Sequence, residues 1–420
     1  MSTAPKRVLM VAFHFPPQSG SSGVQRSLRF VQQLPSFGWE PIVLSIWPGA
    51  YETTSEDLLG EVPVSTVVHR AMALDASRHL AIRRRYLAAL ARPDRWASWR
   101  WDGVRAGLKL IREWRPQLIW STYPIATAHL IAAKLQAHSG LPWVADFRDP
   151  MAQDGYPSDP IAHRQFQAIE TLAAQQASQC LFTTPGAASE YRRRYPAAAA
   201  RMGVLENGYD EASFAAIEAA LDSSRPRLNP DRVTLLHSGL VYPSERDPTA
   251  LFKALALLTE RSPGLSHRLR IRFRASGHDA MLTALATQLG VTEMIELVAP
   301  LPYKDALTEM LCADALLVMQ AANCNQQIPA KVYEYLRARR PVVCLADPGG
   351  DTATMLRSAG VTAVAALDDP TQIVELLHTL LIQSQSPDGI VNAIASEAVA
   401  AAARTARTAA LAEHFDRLTR

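Results

Sequence analysis

Lys331 and Glu334 stand three residues apart in the stretch Gln326-Gln327-Ile328-Pro329-Ala330-Lys331-Val332-Tyr333-Glu334-Tyr335-Leu336, a spacing that puts a cation and a carboxylate on one face of a helix. Pro329 suits the first helical turn, and Val332, Tyr335 and Leu336 supply apolar spacing of three to four, so both charges belong near the helix start. There the free backbone N–H groups and the positive helix end favour an anion, above all a phosphate. An ordinary surface ion pair on an amphipathic helix has the same letters.

Two further places carry groups able to do chemistry. In Asp146-Phe147-Arg148-Asp149-Pro150 a cation sits between two carboxylates directly after an apolar run. Asp149 there can orient a hydroxyl or take its proton, and a structural Asp–Arg pair is the competing reading. The loop His14-Phe15-Pro16-Pro17-Gln18-Ser19-Gly20-Ser21-Ser22-Gly23 follows the first apolar run and meets the positive end of a helix expected over residues 24–37. Gly20 and Gly23 allow close backbone approach by a ligand, but the full G-x-G-x-x-G pattern is missing, so a plain connecting loop fits too.

The elements that must position these groups show in the apolar pattern. Runs at residues 7–13, 41–45, 66–69, 118–121, 143–147, 180–183 and 203–205 alternate with helical stretches. A second series follows at 233–237, 269–274, 294–297, 315–319, 342–345 and 361–365. Alternation of this kind predicts two doubly wound parallel sheets, with ligands at the carboxyl ends of the strands. The expected organisation is an N-terminal domain over 1–210, a Ser/Arg/Pro-bearing linker over 211–230, a second domain over 231–390 and a helical segment over 391–420.

Composition narrows the partners. At 420 residues and 48% hydrophobic content the chain suits two or three domains with sizeable cores. Lys plus Arg exceed Asp plus Glu by only 43 − 40 = 3, which excludes a dedicated nucleic-acid binder. Cys180, Cys312, Cys324 and Cys344 lack CxxC spacing and fit a reducing cytoplasm. No run of about 18 apolar residues is present. Residues 78–115 nevertheless hold eleven Lys or Arg against Asp94, Asp102 and Glu113, a local +8, with Trp96, Trp99, Trp101 and Trp114. That mixture suits an anionic membrane surface; a solvated helical face with core tryptophans explains it equally.

The pattern K-h-x-E-Y-L-x-x-x-x-P-h-h, read from Lys331, resembles the C-terminal signature of bacterial glycosyltransferases of the family-4 type, and an opening of the kind F-x-P-x-x-x-x-G-x-x-R near the N-terminus resembles their opening loop. The resemblance implies the GT-B fold: two facing Rossmann-like α/β domains, with the last helix crossing back to the N-terminal domain. It implies a nucleotide-sugar donor on the C-terminal domain and a glycan or lipid-linked acceptor on the N-terminal one, at the cleft bordered by Gly20 and Gly23. Gly239 and Arg246 are then expected at the diphosphate with Lys331, Gly277 and Leu301 beside the base, and Glu334 at the ribose, with Arg148 and Asp149 on the reacting side.

Departures from the family pattern are visible. Gln326 stands where many relatives have a first Glu, Leu240 where they have an Arg, and Arg148 where they have a His. The implied activity is hexosyl transfer with retained configuration and no metal or other cofactor, the chain containing no D-x-D. A nucleotide-sugar 2-epimerase of the same fold, or a transferase-like binding subunit without activity, stays open.

Overall fold

The computed structural model describes residues 6–19, 22–83, 85–221, 225–387, 389–391 and 393–420. The chain divides into two compact units, one of Met1–Asn207 with Arg404–Arg420 and one of Gly208–Ala403.

The first unit is built on a seven-stranded parallel sheet of β1 (Lys6–Val11), β2 (Trp39–Ile46), β3 (Val67–Ala71), β4 (Leu118–Thr122), β5 (Trp143–Phe147), β6 (Gln179–Phe182) and β7 (Met202–Val204). Its order is β3-β2-β1-β4-β5-β6-β7, so the winding direction reverses between β1 and β4, where a doubly wound sheet opens its crevice. Successive side chains of a strand point to opposite faces, and β1 shows the rule: Leu9 and Val11 join one core, Val8 and Met10 the other. The helix Ser22–Gln33 covers the second face with Leu28 and Val31, beside Leu411 and Phe415 of the helix Arg404–Leu418. Both faces are covered, which explains why these strands read as continuous apolar runs.

The second unit repeats the plan with β8 (Val233–Ser238), β9 (Leu269–Arg274), β10 (Ile295–Val298), β11 (Ala315–Gln320), β12 (Val342–Ala346) and β13 (Val364–Ala365). The order β10-β9-β8-β11-β12-β13 puts its switch point between β8 and β11. Leu235, Leu317 and Val343 pack under the helices Thr249–Arg261 and Pro370–Gln383. Leu236, Leu316 and Val342 pack under Tyr303–Cys312 and Lys331–Ala338. Every apolar run of the sequence became a strand, the one at 361–365 reduced to two residues.

Two boundaries differ from expectation. Residues 211–220 are a helix of the second unit and not part of a linker: the Asp210 carboxylate caps it by accepting from Ser213 N at 3.1 Å, and Phe214 and Ile217 are buried in that unit's core. The alanine-rich end is two helices, Ser396–Ala401 and Arg404–Leu418, interrupted where Ala403 bridges to Tyr209 and Tyr209 N donates to Ala402 O at 3.1 Å. Only the latter helix belongs to the first unit, held by Trp39 Nε1 and Lys6 Nζ on the Asp416 carboxylate at 3.1 and 2.8 Å. Among the described residues no helix is long and apolar enough to cross a membrane.

Candidate functional site

β8 brings His237 to the carboxyl edge of the second sheet, fully buried. Its Nδ1 lies 3.0 Å from Leu317 O on neighbouring β11 and its Nε2 lies 3.1 Å from Lys331 Nζ. A carbonyl only accepts, so Nδ1 carries the ring proton and Nε2 accepts from the lysine: the imidazole is neutral. Burial and the Lys331 charge hold its pKa well below the usual histidine range.

Lys331 opens the helix Lys331–Ala338. Burial and the nearby Arg246 guanidinium pull its pKa well below the ordinary lysine value, opposed in part by Glu334. Among the described residues no carboxylate lies within ion-pair distance of it. Gly239 follows β8 at φ +115°, and a Cβ there would sit 3.4 Å from Lys331 Nζ, so the backbone passes close under the ammonium. Arg246 donates from Nη1 to Leu240 O at 2.7 Å and stacks over the Tyr242 ring at 5.3 Å. Glu334 accepts from Tyr303 Oη at 3.0 Å, and Tyr335 Oη accepts from Ser238 N at 3.0 Å. Lys331, Glu334, Arg246 and Gly239 are thus brought together at the end of β8.

Other expected positions are placed less tightly. Gly277, at φ +71°, lies under the Leu240 side chain, which a Cβ would meet at 2.7 Å. Leu301 is 39% exposed after β10, Gln326 is exposed before the Lys331 helix, and Lys331 bonds neither. Pro329 stands two residues ahead of that helix instead of inside its first turn, its carbonyl accepting from Val332 N at 2.9 Å. What shapes this approach is Gln320, whose Nε2 donates to Cys324 O and Gln327 O, both at 2.9 Å. A separate pocket of about 450 Å³ is lined by Lys253, Thr249, Asp247, Asp347 and Asp368. It contains none of the clustered cations, and three carboxylates against one lysine give it the wrong sign for a phosphate.

In the first unit the carboxyl ends of β1, β4 and β5 gather a buried ionic group. Arg26, from the helix Ser22–Gln33, grips the Asp146 carboxylate with Nε and Nη2 at 2.9 and 2.8 Å. It also donates to Leu205 O at 2.9 Å and Glu206 O at 3.0 Å, while Thr122 Oγ1 donates to Asp146 at 3.1 Å. Next to this pair, half-buried Arg148 and Asp149 begin the turn after β5. Burial raises the Asp149 carboxyl pKa, with Arg148 and Arg26 pulling back. His14, at the end of β1, is brought to a pKa of about 3 by burial and by Arg148, and so is neutral.

The turn itself is pinned. Thr183 Oγ1 donates to Arg148 O at 2.5 Å, Met151 N to Tyr191 Oη at 2.8 Å and Ala152 N to Glu170 Oε1 at 2.8 Å. Gly23 has a different use from the one expected: a Cβ there would lie 2.0 Å from Arg148 Nη1, so its missing side chain makes room for this guanidinium and not for a ligand. Gly20 lies outside the described residues. His14, Arg26 and His237 escaped sequence reasoning, because a lone His beside an apolar run reads as core and an Arg early in a helix reads as solvated.

Comparison with known proteins agrees with this architecture. Residues 22–208 match the glycosyl transferase 4-like domain family. No curated protein gives a significant sequence match. HepE from Anabaena, solved in complex with UDP, is similar over 98% of this chain and 100% of its own, with a TM-score of 0.66 at 14% identity. Sucrose-phosphate synthase from Thermosynechococcus elongatus is similar over 98% and 99%, at 0.67 and 12%. WaaG, a glycosyltransferase involved in lipopolysaccharide biosynthesis, is similar over 97% and 95%, at 0.58 and 15%. These likenesses identify the fold as the two-unit GT-B type.

Proposed function

We propose that this chain, whose residues 22–208 match the glycosyl transferase 4-like domain family, is a glycosyltransferase that takes a sugar from a nucleotide-activated donor held by the second unit. The observation that carries the reading is the pairing of Lys331 with Arg246. Two cations share a partly buried place where the lysine has only a neutral imidazole to bond. Like charges kept so cost free energy until an anion completes the site.

A nucleoside diphosphate supplies that anion. Its oxygens suit the Lys331 ammonium, the Arg246 fork and the N–H groups opening the Lys331 helix. Glu334, steadied by Tyr303, suits the ribose hydroxyls. Uridine is the base to test first, since HepE was solved with UDP and with UDP-glucose. When the bond to the sugar breaks, negative charge grows on the diphosphate, and the same cations stabilise it without a metal. Retention of anomeric configuration and a hexose donor complete the reading.

The acceptor belongs to the first unit, where the turn of Arg148 and Asp149 is held by Thr183, Tyr191 and Glu170. Asp149, its pKa raised, is the group suited to orient or deprotonate an acceptor hydroxyl. The acceptor class we assign is a glycan, free or lipid-linked. The test is turnover of a donor panel with and without a chelator. Sugar transfer that persists in chelator supports the reading; donor 2-epimerisation, or UDP binding with no turnover on any acceptor, replaces it with one of the two alternatives above. Full loss in chelator restored by magnesium or manganese overturns its metal-free part.

A further inference from the structure

We propose that Tyr156 is the platform on which the acceptor's sugar ring stacks, seating a pyranose beside Asp149. The inference rests on the glycosyltransferase reading above and deepens its acceptor half. Tyr156 is 52% exposed at the end of the turn that begins with Arg148 and Asp149 after β5. Phe166, from the helix Pro160–Gln176, supports that ring edge to face at 6.3 Å and meets the Tyr123 ring in the same way at 6.1 Å. Tyr123 follows β4 directly and is buried. Its phenol is pushed well above the usual tyrosine pKa by burial, and further by Tyr156 and Asp149, so its hydroxyl stands within electrostatic reach of both. The three rings and Asp149 gather at the carboxyl ends of β4 and β5, next to the reversal of winding where a doubly wound sheet takes its ligand.

What separates Tyr156 from an ordinary exposed tyrosine is the way its backbone is held. Gln153 and Tyr156 exchange backbone hydrogen bonds at 2.9 and 3.0 Å, closing a hairpin tip over Asp154 and Gly155. His163 Nδ1 donates to Tyr156 O at 3.0 Å, and Gln153 Nε2 donates to Pro150 O at 2.9 Å. With Met151 N on Tyr191 Oη and Ala152 N on Glu170, the chain is tied at each step from Pro150 to Gln153 and again at Tyr156. Pro150, Met151 and Ala152 are buried, so the turn spends its other apolar side chains on the core and presents one ring to solvent. The placement of that ring relative to Asp149 is fixed before a ligand arrives, which spares binding the cost of ordering a loop.

The surroundings select the occupant. Gln153 and Asp154 share the hairpin with Tyr156, and Gln167 Nε2 donates to His163 Nε2 at 3.1 Å on the helix that holds it. One ring among hydrogen-bonding groups is a poor seat for a lipid chain or a protein partner, each of which needs a contiguous apolar patch. It suits a pyranose: the negative face of the phenol attracts the polarised C–H groups of one sugar face, while the amide and carboxylate groups around it take the hydroxyls.

Saturation-transfer NMR with methyl β-glucopyranoside and methyl α-mannopyranoside, in the absence of UDP, tests the proposal. At least one glycoside should bind the parent protein, with saturation strongest on the ring C–H protons of one face. Tyr156→Ala should weaken binding about five- to tenfold. Tyr156→Phe should keep it within about twofold, since the ring and not the hydroxyl carries the contact. Both variants should melt with the parent, the side chain being on the surface. UDP is titrated separately, so a parent that binds no UDP would strike the donor reading and leave the glycoside result standing. Neither glycoside binding the parent, Tyr156→Ala binding as well as the parent, or Tyr156→Phe losing as much as Tyr156→Ala would each overturn the proposal.

Discussion

Lys331 and His237 meet at 3.1 Å with the lysine donating to a neutral imidazole, so the ammonium is oriented by a lone pair and, among the described residues, has no carboxylate within ion-pair distance. A carboxylate in the place of His237 would hold the lysine more firmly and would compete with a phosphate for it. The neutral partner fixes position while keeping the charge available.

Lys331→Ala and Arg246→Ala should each weaken UDP by about 1.5–3 kcal/mol, the worth of a charge-assisted contact, and leave uridine nearly unchanged. Glu334→Gln should weaken both ligands with thermal unfolding unaltered. Calorimetric titration of the two ligands decides it; equal losses on UDP and uridine would take the cations out of the phosphate site.

Binding of UDP should draw a proton from solution. Burial and Arg246 depress the pKa of Lys331 in the free protein, and an adjacent diphosphate favours the ammonium and raises it again. Between the two values the complex holds a proton that the free protein lacks, so affinity declines as pH rises through the bound-state value. Titrations at pH values below the ordinary lysine range, in buffers of different ionisation heat, should show uptake, lost in Lys331→Met. Buffer-independent heats throughout would contradict the assignment.

Acid should destabilise the first unit before its carboxylates protonate. His14 and His129 are buried neutral, with pKa values brought to about 3 and about 4. Unfolded, each takes up a proton near pH 6.5, so the unfolded state binds more protons in the window from roughly 6.5 down to those values. Stability present above that window is lost as pH falls through it, by a few kcal/mol in order of magnitude. Urea melts of His14→Gln and His129→Gln should show a flatter acid limb than the parent; identical slopes would reject the mechanism.

Arg26→Ala should cost about 3–5 kcal/mol, because it strands the buried Asp146 carboxylate and two backbone carbonyls. The loss belongs to the first unit alone, so UDP binding at the second unit should persist in the variant. A melt unchanged within about 1 kcal/mol would refute the weight placed on this pair.

Asp149→Asn should lower kcat by about 10²–10⁴ with the donor Kd unchanged, if the carboxylate takes the acceptor proton. Its raised pKa sets the sign of the pH dependence: the base is lost on acidification sooner than an ordinary aspartate. His14 is neutral down to about pH 3 and so does not supply that limb. Unchanged kcat in the variant would return Asp149 to a structural role.

The strands were legible because burial on both faces leaves them mainly apolar; β11, Ala315–Gln320, reads ALLVMQ. Lys331 and Glu334 were legible through helical spacing, which is local. The partners that define their chemistry are not local: His237 lies 94 positions from Lys331, and Arg26 lies 120 from Asp146, so no periodicity links them. The tryptophans of residues 96–114 could not be sorted into core and surface for a related reason. One helix presents Trp101 to solvent and Trp99 to the core, a distinction that depends on which face the sheet covers.

The helix Arg404–Leu418 completes a sheet unit whose other residues end at Asn207. A ribosome therefore finishes the whole 208–403 unit before it delivers Leu411 and Phe415, the side chains that close one face of the first core. Until then, Val8, Met10 and Trp39 await part of their cover, and the earliest unit to be synthesised is the last to be sealed. Premature termination a few residues short would damage the beginning of the protein.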